Sequence, residues 1–70
     1  MAQTQKDLDL VQRHVFECEQ RVIIQKRHIN RLLVEGSPTA DAYELLGRMQ
    51  VLLDDARKRQ DEIAKDIEGD

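Results

Sequence analysis

Seventy residues allow one small domain. With charged residues at 36%, aromatics at 3% and no Trp, they suit long solvent-facing helices and exclude an aromatic globular core. The net charge of −3 matches nucleic acid poorly over the whole chain, and apolar runs of at most three residues (Val22-Ile23-Ile24 and Leu32-Leu33-Val34) exclude a membrane-spanning segment. The first residues carry no apolar signal-like run, and a single cysteine cannot close an internal disulfide, so the expected location is the cytoplasm.

The first predicted element is a helix over about residues 4–35. Thr4 followed by Asp7 has the spacing of a capping box. From there an apolar repeat runs in alternating steps of three and four through Leu8, Val11, Val15, Cys18, Val22, Gln25, Ile29 and Leu32. Such a repeat over more than three heptads predicts a coiled-coil-like seam. Gln25 interrupts it; a long side chain there is expected at the edge with its amide in water, the alternative being a buried amide that sets register. Leu10, Phe16, Ile23, Ile24 and Val34 fall off the seam.

A turn follows over residues 35–39. Gly36 supplies a left-handed residue to end the first helix, and Pro38 cannot extend it. Two starts for the second helix stand open: Ser37 as cap with Pro38 at the first position, or Thr39 as cap with Asp41 in the first turn. A connection this short makes the helices antiparallel neighbours.

The second helix is predicted over about residues 38–68, with a frayed end at Glu68-Gly69-Asp70. Its seam is Ala42, Leu46, Met49, Leu53, Ala56, Gln60, Ile63 and Ile67, flanked by Leu45 and Leu52, a stripe as wide as a bundle helix shows. Gly47 reads as a tolerated surface glycine, or else as a place of close approach by another helix. Counting from the turn sets Leu32 by Ala42, Gln25 by Met49, Val22 by Leu53, Cys18 by Ala56, Val11 by Ile63 and Leu8 by Ile67. The fold class is therefore all-α: one helical-hairpin domain over residues 1–70. Two helices of ~45 Å enclose little core for their surface, so pairing of two hairpins into a four-helix bundle is expected. The unused apolar residues Phe16, Ile23, Ile24, Leu45 and Leu52 are its expected interface. If the first helices face each other across an antiparallel two-fold, their Cys18 side chains become neighbours able to cross-link.

Chemistry-bearing groups are few. His14 and Cys18 stand one turn apart, but a structural metal site needs a second such pair. No Glu is followed by His three residues later, as di-iron bundles require. Asp54 and Asp55 are adjacent and diverge on a helix, and no Gly-rich phosphate loop or nucleophile with a base appears. No catalytic, metal or cofactor residue is assigned, and the chain is not expected to be an enzyme. The two halves differ in charge: residues up to Glu35 hold six Lys/Arg against five acids, and those after Gly36 hold five against nine. Arg13, Arg27 and Arg31 on the outer side of the first helix, with Arg21 in a column beside the seam, form the one face that could grip phosphates of structured RNA; otherwise they are solvated charge, paired as Glu17 with Arg21.

Arg13-His14-Val15, Glu19-Gln20-Arg21-Val22, Gln25-Lys26 and Ile29 to Leu33, then Gly36, Thr39, Ala42, Leu45 and Leu46, resemble the first helix, turn and second-helix start of a group of small uncharacterised bacterial helical-hairpin proteins. The likeness spans about residues 8–63. It implies a bacterial hairpin protein and carries no activity. In size and topology alone the chain resembles Rop, a hairpin dimer that binds RNA through its first helices. The leading expectation is a non-enzymatic protein-interaction or scaffold module working as a homodimer, with another helical protein as a further partner; the alternative is a regulator that binds nucleic acid through the first helix.

Overall fold

Two helices packed as an antiparallel hairpin make up the computed structural model, which describes residues 3–69; Met1, Ala2 and Asp70, the last part of the expected frayed end, lie outside the described residues. Helix α1 spans Gln5–Glu35 and α2 spans Ala40–Glu68. On Cα positions the hairpin measures 54 × 15 × 12 Å.

The start of α1 is the capping box that Thr4 and Asp7 predict. The Thr4 backbone N–H donates to Asp7 Oδ2 at 2.9 Å, the Thr4 hydroxyl donates to the same oxygen at 3.0 Å, and the Asp7 N–H donates to Thr4 Oγ1 at 3.3 Å. The backbone bond from Thr4, then its hydroxyl, and the nearby Lys6 charge hold the Asp7 carboxyl below its ordinary range, because each favours the ionised form.

At the other end Gly36 adopts φ 72° and ψ 21°. Its N–H points to the Leu33 carbonyl at 3.2 Å, and the Ser37 N–H donates to the Leu32 carbonyl at 2.9 Å. This Schellman closure satisfies two carbonyls that the helix end leaves open. It also commits Ser37 to the end of α1. The second helix accordingly starts at Ala40, with Thr39 as its cap, and the start at residue 38 is corrected. Thr39 makes no side-chain cap bond; the first turn is held by its carbonyl, which accepts from the Tyr43 N–H at 2.9 Å.

The core is the seam. Val11, Val15, Cys18, Val22, Gln25 and Ile29 are buried on α1, facing Leu53, Ala56 and Ile63 on α2. The remaining seam residues, Leu8, Leu32, Ala42, Leu46, Met49, Gln60 and Ile67, are half-buried. Val15, Cys18, Val22, Leu53 and Ala56 form the central cluster, with Leu46 and Met49 packed against it. Most seam residues of α1 are buried, whereas Leu46 and Met49 of α2 keep an outer edge in solvent.

Gln25 is not at the edge. It is 8% exposed, and its Nε2 donates to the Ala42 carbonyl at 2.9 Å. Ala42 is about two turns nearer the loop than Met49, the residue counted opposite. The methyl side chain of Ala42 leaves its carbonyl reachable, and a helical carbonyl keeps a second lone pair for such a bond. The buried amide is therefore satisfied.

Gly36 and Gly47 separate backbone strain from space. Neither has an atom within 4 Å of a Cβ built on it, but only Gly36 has positive φ. Gly36→Ala is expected to cost about 1 kcal/mol or more through left-handed strain alone. Gly47→Ala is expected to add about 1 kcal/mol, the helix-propensity difference. Chemical denaturation of the two variants checks this; a destabilising Gly47→Ala would mean that another helix approaches there in solution.

Candidate interaction faces

Two shallow grooves run along the hairpin where the flanks of α1 and α2 meet. In the first, Glu19 and Lys26 of α1 face Gln50 and Arg57 of α2, with Ile23 on the rim. Arg57 donates to Glu19 across it at 2.9 Å. In the second, on the opposite flank, Leu10 and His14 of α1 face Arg59 of α2.

Heptad spacing assigns the other apolar residues to these flanks, because residues seven apart share a column along the seam. Phe16 is seven before Ile23 and lies on the first flank. Ile24 is fourteen after Leu10, and Leu45 and Leu52 precede Arg59 by fourteen and seven; these three lie on the second flank. The expected interface residues are all exposed, between 42% and 62%. The hairpin does not bring them together as one patch: Phe16 and Ile23 face one way, and Ile24, Leu45 and Leu52 the other.

Arg13, Arg21, Arg27 and Arg31 are all exposed. Among the described residues, the ion pairs within 4 Å are Arg48–Glu44 at 2.8 Å and Arg57–Glu19 at 2.9 Å. The expected Glu17–Arg21 pair is thus not formed, and the four arginines of α1 keep their guanidinium groups in solvent. Arg21 shares its column with His14 and His28 beside the second groove. Exposed pairs like the two observed contribute at most about 1 kcal/mol each.

The His14 Nε2 lies 3.7 Å from Cys18 Sγ. No group of three or more His, Cys, Asp or Glu placed to hold a metal ion occurs among the described residues. Cys18 is 5% exposed and belongs to the central cluster with Leu53 and Ala56. The thiol fills the hairpin's own seam and does not project from either flank, a placement that weighs against two copies meeting at this residue. Sequence spacing put Cys18 in the seam, and that position already opposed an exposed role.

No helix among the described residues is long and apolar enough to cross a membrane. Comparisons with protein-family models, curated proteins and solved structures gave no match.

A buried thiol reacts only when its cover opens. Cys18 is expected to react with an aromatic disulfide reagent at least tenfold more slowly in buffer than in denaturant, and copies are expected not to cross-link under mild oxidation. Thiol titration and non-reducing electrophoresis read both; rapid cross-linking would place Cys18 at an interface between copies.

Proposed function

We propose that the chain is a non-enzymatic protein-interaction or scaffold module that acts in the cytoplasm as a homodimeric helical bundle, with another helical protein as a second class of partner. Kinship with small bacterial hairpin proteins belongs to the same proposal. One observation carries it: ten large hydrophobic side chains are exposed on the described hairpin, and no large side chain is fully buried. The seam buries one stripe on each helix and leaves these side chains wet on both flanks, and exposed apolar surface of this extent supports a partner site. Among the described residues the grooves are shallow and open to water, which supports the non-enzymatic reading.

Sedimentation equilibrium tests it. The wild type is expected at twice the chain mass in the micromolar range, with helicity that falls on dilution because folding is linked to association. Monomer mass throughout would refute the homodimer. The paired changes Phe16→Ser with Ile23→Ser, and Ile24→Ser with Leu52→Ser, probe the two flanks separately. The pair that lies in the interface is expected to weaken the dimer at least tenfold, since each buried side chain is worth about 1.5–3 kcal/mol.

A second reading rests on the four unpaired arginines of α1. A salt-dependent shift of structured RNA that disappears in Arg27→Glu with Arg31→Glu would favour a nucleic-acid regulator. Protein that carries no nucleic acid when purified at low salt would count against it.

A further inference from the structure

Burial in α2 is divided at Leu53. Before that point, in residues 40–52, no residue is buried: Ala42, Leu46 and Met49 are half-buried and the others are exposed. Leu53, Ala56 and Ile63, the buried residues of the helix, lie at or beyond it. The exposed large hydrophobics of α2, Tyr43, Leu45, Val51 and Leu52, all lie before it.

Local bonding is divided in the same way. The start of α2 has no side-chain cap bond, whereas Thr4 and Asp7 cap α1 reciprocally. Gly47, the weakest helix former after proline, falls in the middle of residues 40–52. The ion pair of Arg48 with Glu44 at 2.8 Å joins two exposed side chains of α2 and ties nothing to α1. Among the described residues, one hydrogen bond ties this stretch across the hairpin, from Gln25 Nε2 to the Ala42 carbonyl at 2.9 Å. The half away from the loop is tied at two places, by Arg57 on Glu19 and by the Gln3 N–H on Asp66. The turn itself does not need α2. The Gly36 and Ser37 N–H groups both bond to carbonyls of α1, so the loop stays formed when the first turns of α2 are lost.

We propose that residues 40–52 form a locally opening segment: α2 unwinds from its loop end while its remainder stays packed on α1. The cost of local opening follows the apolar surface and the hydrogen bonds that are lost, and both are small here. A hairpin held mainly by its connection would fray first at its free ends. In this one the free ends carry the cap and the Gln3–Asp66 bond, and the order is reversed. Opening also uncovers a defined part of α1. Gln25 loses its acceptor, and Ile29, which is 4% exposed and lies nearer the loop than Gln25, loses its cover. The open form thus presents the α1 seam from Gln25 to Leu32 together with a released apolar stretch of α2.

Native-state hydrogen exchange of the full chain, followed amide by amide by NMR, tests this. Amides of residues 44–52 are expected to have protection factors roughly tenfold or more below those of residues 57–63. Ile63→Val separates local from global opening, because local opening leaves the packing of Ile63 intact. Loss of one buried methylene is expected to lower protection at residues 57–63 about fivefold and to leave residues 44–52 unchanged. Equal protection on the two sides of Leu53 would overturn the proposal, and so would lower protection at residues 57–63. A variant in which both groups fall together would also overturn it, because the helix then opens only as a whole.

Discussion

The reversal at Gly36 is the constraint on which the rest depends. Its left-handed backbone lets two successive N–H groups fold back on the Leu33 and Leu32 carbonyls, and α2 begins four residues later. With so little chain between them the helices cannot choose their neighbour or direction, and counting outward from the loop sets which residues are level. Cross-helix contacts continue to the open end: Glu19 meets Arg57, and the Gln3 N–H donates to Asp66 Oδ2 at 2.6 Å. Only residues that suit this register can form a seam, so a turn of four residues governs a packing 54 Å long.

The seam is narrow, and its composition reflects that. Val15, Cys18, Val22 and Ala56 at the centre are short enough for the two backbones to approach closely, and β-branched Val loses little rotamer freedom it would otherwise use. The cost is that two stripes enclose no volume; every large side chain keeps some contact with water. Small helical chains in this position gain stability by association more readily than by any internal change. Gln25 answers a different need. An amide held to the Ala42 carbonyl is satisfied in only one alignment, and a slip of either helix would strand it in an apolar seam at a cost of about 1–3 kcal/mol.

Much of this was legible in the sequence because the steps of three and four repeat without a break: each of the sixteen seam positions is buried or half-buried, and the Thr4–Asp7 spacing became the cap it suggests. The start of α2 was less legible, since Ser37 and Thr39 both have cap chemistry and the choice depended on a backbone bond from Ser37 to the helix before it. Gln25 was misjudged for a related reason: periodicity names the face a residue lies on and says nothing of an acceptor on the other helix. The apolar patch was misjudged more deeply. Spacing shows which residues share a column on one helix, but which flank of α1 lies beside which flank of α2 is a matter of handedness in three dimensions. Ile23 and Ile24 are adjacent in sequence and end on opposite sides of the hairpin.

That division leaves apolar side chains exposed on both flanks of the hairpin. A single continuous patch would be consumed by self-association and leave only charge outside. With the apolar residues split, Phe16 and Ile23 lie exposed beside the Glu19–Arg57 bridge, on the flank opposite Ile24, Leu45 and Leu52. Gly47 precedes Asp54 of the first groove by seven residues and so lies on this same flank, with open space around it. A helix without a side chain at that point offers a shallow place where another helix can come close. The two flanks are separate surfaces, because the seam stands between them.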